Sequence, residues 1–380
     1  MDPMSAAVTP VRMPRYGMTM TEGAVARWLV APGETVAAGQ DLAEIETTKI
    51  TNVETAAVAG VLRRAVVEAG RIVPVGTLIG VIADAGVPDA EIDAVVSAQA
   101  AVVDDAADAD AGPVDTVITV GTLAIAVRRT PGAGPSDAVP VVLVHGFGGD
   151  RDNWMFVESR LAAERPVVAF DLPGHGASGT EIGDGTLATL AAAVTGLMDT
   201  LNLPRAHLVG HSLGGAVALA AAAARPEAVA SLSLLAPVGF GPEIDGGYIA
   251  GFLAAERRKD LKDILGRLFA DADAVERRMI DDVLRMKRRD GVPEALATIA
   301  AALFPDGRQA VDLRAEAASL ACPVTVVWGE ADRIIPIAHT EELPTGIAVT
   351  RIAGAGHMPQ LEAPAEVVRA LRDGFARAGG

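Results

Sequence analysis

Hydrophobic and polar positions divide the chain into stretches of different character. Residues 10–83 carry Val, Ile, Thr and Gly at short spacing, the pattern of short strands and tight turns. Gly23, Gly33, Val36 and Gly39 recur thirty-seven positions later as Gly60, Gly70, Val73 and Gly76. Such a repeat implies two similar half-units. A small all-β domain with approximate two-fold symmetry, a flattened barrel or sandwich, is predicted, with Lys49 at a tight turn between the halves. Residues 84–115 hold nine acidic residues, no basic ones and much Ala. That composition buries little and predicts a solvated linker, within which Asp89 to Ala101 is a candidate transient helix. As flexible coil, its roughly 32 residues would span about 30 Å root-mean-square and about 110 Å fully extended.

From residue 116 the pattern alternates between strands and helices. Apolar runs at 139–144, 167–170, 206–209, 229–235 and 324–328 are continuous, as in strands buried on both faces of a parallel sheet. Ala-rich amphipathic stretches at 186–201 and 213–225 lie between them, which predicts an α/β doubly wound sheet. Residues 240–315 contain no good strand and read as an inserted helical lid. The expected organisation is a β domain at 8–84, a linker at 85–115 and an α/β domain at 116–380.

Composition narrows the function classes. A chain of 380 residues, half of them hydrophobic, is long enough for two cores. The net charge of −17 argues against nucleic acid as a partner. Charges or glycines interrupt every apolar run before membrane-span length. Met1 to Arg12 lacks a secretory pattern, so a soluble cytoplasmic protein is expected. The one cysteine, Cys322, excludes an intramolecular disulfide and reads as a core or strand-edge residue. There are four lysines, Lys49, Lys259, Lys262 and Lys287. Lys49 stands alone in the first half of a chain that otherwise writes Arg for positive charge, which points to a required amine.

Gly210-His211-Ser212-Leu213-Gly214 follows a predicted strand and opens a predicted helix, the context of a Gly-x-Ser-x-Gly nucleophile elbow. The glycines two before and two after the serine relieve a turn too sharp for side chains. A serine nucleophile needs a base, and the base an orienter. His357, in the glycine-flanked loop Gly354-Ala-Gly-His357, is the candidate base. Asp332 and Glu330 compete as the acid in the turn after Val324–Trp328. The segment resembles the α/β-hydrolase family, whose order is serine, acid, histidine. The Trp-Gly-x-x-Asp pattern matches that family's acid at Asp332. The resemblance also implies an oxyanion hole from the Leu213 and Phe147 N–H groups, Phe147 lying in His145-Gly146-Phe147-Gly148. The loop Asp171 to Ser178 is expected to shape the pocket, with His175 structural. His207 reads as a structural strand residue and His339 as a surface helical one.

Glu46-Thr47-Thr48-Lys49-Ile50, preceded by Gly33-Glu-Thr-Val36-Ala-Ala-Gly39, resembles the lipoyl-attachment region of 2-oxo acid dehydrogenase complexes. Biotin carriers place Met on both sides of the lysine, which Thr48 and Ile50 do not fit. Lipoate on Lys49 is therefore implied, on a lipoyl/biotinyl-type barrel. Thr48 stands where most lipoyl domains have Asp, a departure closer to acetoin-type carriers. A lipoyl domain joined to an α/β-hydrolase domain resembles the acyltransferase component of acetoin dehydrogenase complexes. That resemblance implies acetyl transfer from the dihydrolipoyl arm to coenzyme A through an acetyl-Ser212 ester. It also implies three partners: a thiamine-diphosphate acetoin dehydrogenase component, dihydrolipoamide dehydrogenase, and a lipoate ligase or lipoyl transferase. The chain has no His-x-x-x-Asp-Gly motif and no recognisable subunit-binding domain, so docking to those partners is not legible. A serine hydrolase carrying a tethered lipoyl arm, and a non-catalytic carrier subunit, remain alternatives.

Between residues 256 and 290 the lid holds eleven basic and nine acidic residues, a positive island in an acidic chain. Solvated helix faces with i,i+4 pairs account for it. A docking surface for the acidic carrier or for coenzyme A phosphates, tested at Arg288 and Arg289, is the sharper alternative.

Overall fold

The computed structural model describes residues 8–14, 22–46, 51–67, 69–75, 77–100 and 112–379. Contacts divide it into two units, residues 1–112 and 113–380.

In the first unit, strands β1 (Val8–Arg12), β2 (Glu22–Trp28), β3 (Thr35–Val36), β4 (Asp41–Glu46), β5 (Thr51–Thr55), β6 (Gly60–Ala65), β7 (Ile72–Pro74) and β8 (Leu78–Ala83) form two four-stranded sheets. The sheet orders are β1-β8-β6-β3 and β5-β4-β2-β7, with antiparallel pairing throughout. Val25, Leu42 and Ile45 of one sheet share a core with Leu62, Ile79 and Ile82 of the other. The repeat is visible in the strands: β7 starts thirty-seven residues after β3, and β8 thirty-seven after β4. Gly33 and Gly70 hold matching turns at φ +96° and +85°, a region that favours glycine. β4 and β5 pair Glu46 with Thr51. Lys49 belongs to the intervening residues 47–50, which lie outside the described residues.

The start of the acidic stretch differs from the flexible linker expected of it. Asp89–Ala100 forms helix α1, and Ile92 is fully buried with Leu78, Val81 and Val87. Its acidic first turn meets basic residues of β6: Arg63 pairs with Asp89 at 2.8 Å and Arg64 with Asp93 at 2.7 Å. Composition gave only a transient helix here, because two apolar residues, Ile92 and Val96, suffice when the neighbouring strand supplies the rest of the contact and the arginines. Residues 101–111 lie outside the described residues.

The second unit opens with β9 (Val114–Val120) and β10 (Leu123–Thr130), an antiparallel pair at the sheet edge. There follow β11 (Val141–Val144), α2 (Met155–Ala162), β12 (Val167–Phe170), α3 (Leu187–Thr200), β13 (Ala206–His211), α4 (Leu213–Ala224) and β14 (Val229–Leu235). The lid comprises α5 (Gly246–Ala254), α6 (Arg258–Leu265), α7 (Arg277–Lys287) and α8 (Val292–Leu303). The chain returns through α9 (Arg314–Ser319), β15 (Val324–Gly329), β16 (Ala348–Ile352), α10 (Pro359–Glu362) and α11 (Pro364–Arg377). Sheet order is β16-β15-β14-β13-β11-β12-β10-β9, parallel from β16 to β12. The five predicted apolar runs are the five central strands, each buried along its whole length. β16 alternates between exposed and buried positions because it is an edge.

If α1 belongs to the first unit, Ile92→Ala removes a buried side chain and costs that unit about 2–4 kcal/mol. Calorimetry of the full chain should show an earlier transition for that unit, and an unmoved one would mean α1 contributes nothing.

Candidate active site

The site begins with a backbone constraint. Ser212 joins β13 to α4 at φ +54°, ψ −119°, a conformation few non-glycine residues hold. A Cβ at Gly210 would lie 2.2 Å from the Gly214 carbonyl oxygen. One at Gly214 would lie 2.3 Å from the carbonyl oxygens of Val144 and His145. Only glycine allows α4 to start this close to β11. The result is a serine raised at the C-terminal edge of the parallel strands, where α/β sheets place their sites.

Three loops at that edge bring the predicted residues together. Ser212 Oγ lies 3.0 Å from His357 Nε2, and His357 Nδ1 lies 2.8 Å from Asp332 Oδ2. The Asp332 carboxylate is fully buried. It accepts hydrogen bonds from the Ile334 and Ile335 N–H groups at 2.8 and 3.1 Å and from Trp328 Nε1 at 3.0 Å. These donors hold the carboxylate in place and fix the oxygen that faces the imidazole. Glu330, the competing acid, is exposed, so the geometry selects Asp332.

His145 organises the opposite wall. Its Nε2 accepts from the Leu172 N–H at 2.9 Å, which leaves the proton on Nδ1 to donate to the Gly146 carbonyl at 2.8 Å. A peptide's carbonyl and N–H point in opposite directions. Holding the Gly146 carbonyl therefore turns the Phe147 N–H of the same peptide the other way. Neither the Phe147 nor the Leu213 N–H finds a partner among the described residues. Gly148 (φ +71°) continues this loop beneath the Phe252 ring, which a Cβ would strike at 2.4 Å. His175 packs edge-on to His145 and Phe147, at 5.1 and 6.0 Å between ring centres. It is buried behind the Phe147 loop, bonded to the Pro173 carbonyl, and does not line the cavity over Ser212.

Above the serine lies a cavity with about 60 Å³ of free space, lined by Phe147, Tyr248, Phe252, Met279, Val283 and Phe304. That volume admits a few waters or one short acyl group. Phe252 is held by Lys287, whose ammonium sits 5.2 Å from its ring centre and donates to the carbonyls of Phe252, Leu253 and Ala255 at the end of α5.

Several residues that complete the site carried no sequence signal. The His357 N–H donates to the Leu268 carbonyl of the lid at 2.8 Å. Glu362 accepts from Ala270 N–H and Gly356 N–H at 2.7 and 2.8 Å, joining the lid to the histidine loop. His211 bonds the His357 carbonyl at 2.7 Å. No local motif marks residues whose partners lie ninety positions away. His207 is structural on its strand, bonded to Ser231 Oγ at 2.7 Å. His339, expected at the surface, is instead 7% exposed, bonded to Glu243 at 3.0 Å and set edge-on against Trp328. It lies in a short 3-10 turn that returns to the sheet instead of a solvent-facing helix. Cys322 is half-buried just before β15, and burial raises its thiol pKa.

Burial pushes the pKa of His145 down to about 4 and that of His175 down to about 3. Both are neutral at pH 7. Below the ordinary histidine value of about 6.5, the unfolded chain binds protons that the native fold refuses. The contribution of these two histidines to stability is therefore full above pH 6.5. It falls from there toward pH 4 and 3, by about 1.4 kcal/mol per pH unit for each histidine. In denaturant titrations between pH 7 and 4, His175→Leu should gain stability relative to wild type as the pH falls, a difference in slope that reads the His175 contribution alone. An identical slope in that variant would contradict the assignment.

Comparison with known proteins agrees with this architecture. A family model described as alpha/beta hydrolase fold matches residues 139–364, and one described as biotin-requiring enzyme matches residues 9–82. A meta-cleavage product hydrolase from Pseudomonas fluorescens superposes with a TM-score of 0.62 at 21% identity, covering 69% of this chain and 98% of its own, a likeness of fold. The dihydrolipoyllysine-residue acetyltransferase component of the acetoin cleaving system from Cupriavidus necator is 44% identical over 94% of this chain and 95% of its own length. The protein of the same name from Pseudomonas putida is 43% identical over 93% and 95%. No helix among the described residues is long and apolar enough to cross a membrane. With both domains matched and this identity over nearly its whole length, the chain belongs to the family of dihydrolipoyllysine-residue acetyltransferase components of acetoin-cleaving systems, its larger unit an α/β hydrolase in fold.

Proposed function

We propose that the chain passes an acetyl group from a thioester on lipoylated Lys49 to coenzyme A, by way of an ester on Ser212. The observation that carries this reading is the relay from Ser212 through His357 to Asp332, set beside two unpartnered N–H groups under a cavity of acetyl size. Lys49 fits a lipoyl arm chemically: it supplies the amine an amide link requires, between the paired strand ends Glu46 and Thr51. Lipoate, when bound, supplies a thiol that carries an acyl group as a thioester.

The residues divide the work. His357 Nε2 takes the Ser212 proton as Oγ attacks the thioester carbonyl, and the Asp332 carboxylate stabilises the imidazolium. The Phe147 and Leu213 N–H groups receive the oxyanion, each worth about 10²- to 10³-fold in rate. The carbon–sulfur bond breaks, and His357 returns the proton to the departing thiolate. In the second half His357 takes the proton of the acceptor thiol, sulfur attacks the acetyl-Ser212 ester, and Ser212 Oγ recovers the proton. The thioester is regained and no net charge is created. Apolar walls and the bonds tying the lid to the histidine loop keep water from competing. The partners that fit this chemistry are a thiamine-diphosphate component that loads the arm, a flavin-dependent dihydrolipoamide dehydrogenase that reoxidises it, and a lipoate ligase or lipoyl transferase.

With acetyl-dihydrolipoamide and coenzyme A, the wild-type chain should form acetyl-CoA, and Ser212→Ala should lose at least about 10⁴-fold in kcat. Release of acetate alone would instead identify a serine hydrolase. Tryptic mass spectrometry should find the lipoyl adduct at Lys49 in protein from a lipoate-competent host.

Phe252→Ala should open the acyl pocket. The kcat/KM for a hexanoyl thioester relative to acetyl should rise by about tenfold or more, and an unchanged ratio would show that this ring does not set acyl length.

A further inference from the structure

Two lid helices border two different spaces. Leu265 of α6 and Met279 and Val283 of α7 line the cavity over Ser212. The start of α6 and the opposite face of α7 line an open groove of about 670 Å³, a volume ordinary for a nucleotide-sized ligand. The groove presents Arg257, Arg258, Lys259, Arg285 and Arg288 against the carboxylates of Glu256 and Asp281. Arg257 pairs with Asp260, Arg258 with Asp281, and Arg285 with Asp282. Lys259 and Arg288 are exposed and make no ion pair among the described residues. Ordinary helix-surface pairing therefore accounts for three of the five cations and leaves two, against the one carboxylate of Glu256, a local excess of positive charge in a chain of net charge −17.

We infer that this groove binds the phosphates of a nucleotide-bearing thiol, the diphosphate and ribose phosphate of coenzyme A, while the neutral pantetheine arm carries the thiol past the lid to Ser212. The inference rests on the proposed transfer to a thiol acceptor. Met279 and Arg288 are nine residues apart on or just beyond α7, about 13 Å along the helix axis at the usual rise, a distance an extended pantetheine arm covers. Guanidinium groups suit phosphate because they offer paired N–H donors, and phosphate pairs are among the stronger charge-assisted hydrogen bonds. A local positive patch also offsets the repulsion that an acidic protein exerts on a polyanionic substrate. Arg289 does not belong to the groove. It donates to the carbonyls of Gly176, Ala177 and Ser178 and holds the loop over Asp171.

The experiment compares coenzyme A with N-acetylcysteamine, a thiol acceptor without phosphates, using the full lipoylated chain and acetyl-dihydrolipoamide. Wild type should prefer coenzyme A, and the preference, read as a ratio of kcat/KM values, should fall about tenfold or more in Lys259→Glu with Arg288→Glu. Arg288→Lys should keep most of it, and raised salt should lower it in wild type. Titration calorimetry with adenosine 3′,5′-bisphosphate gives an independent readout: binding to wild type and loss of binding in the double variant support the groove. No preference in wild type, or an unchanged preference in the double variant, overturns the groove and leaves acetyl transfer standing. Acetate with neither thiol acetylated overturns the transfer reading and the groove with it.

Discussion

The site depends on the contact between the start of α4 and the end of β11. Because Gly214 lies where a Cβ would meet the Val144 and His145 carbonyls at 2.3 Å, the helix can begin directly behind the strand. Ser212 is forced to φ +54° as the chain turns between them. That turn fixes the serine, aims the first N–H of α4 beside it, and sets it against the loop that follows β11. Strain of this kind, on the order of 1–3 kcal/mol, persists only where the surroundings over-determine it. Here they do: Ser212 N–H is bonded to the Leu235 carbonyl at 2.9 Å, and the Ser212 carbonyl accepts from Val238 N–H at 3.1 Å.

The remaining parts are arranged around that fixed point by buried groups kept neutral or fully bonded. His145 and His175, both pushed to low pKa by burial, act as uncharged packing and hydrogen-bonding units that set the Gly146–Phe147 peptide. The Asp332 side chain is buried, and three donors besides His357 satisfy it. Glu362 ties the histidine loop to the lid, so closure of the cavity and placement of the base are one structural event. In such a site the reacting thioester meets preorganised dipoles instead of reorienting water.

Legibility in the sequence followed the range of the interactions. Ser212, Gly210 and Gly214 were readable because their constraint is local, and the central strands because burial on both faces writes continuous apolar runs. The first unit's repeat was readable as glycines, and the structure shows why: Gly33 and Gly70 sit at equivalent turns with positive φ. The Trp-Gly-x-x-Asp resemblance favoured Asp332 over Glu330, and the turn that points Asp332 at His357 Nδ1 agrees with it. The lid contact of Glu362 and the buried state of His339 were illegible because their partners, Ala270 and Glu243, are distant in sequence. Helix α1 was legible only as a transient helix within a solvated linker, and its docking was not. Its surface is as polar as a linker, and Ile92 with two ion pairs to β6 holds it in place.

The central claim is that Ser212 takes the acetyl group covalently. Rapid acid quench of the lipoylated chain with an acetyl donor and no acceptor thiol, followed by peptide mass spectrometry, tests it directly. Acetyl is expected on the peptide containing Ser212, discharged within one turnover when coenzyme A is added. Acetyl-CoA formation at full rate with Ser212 never acetylated would contradict it.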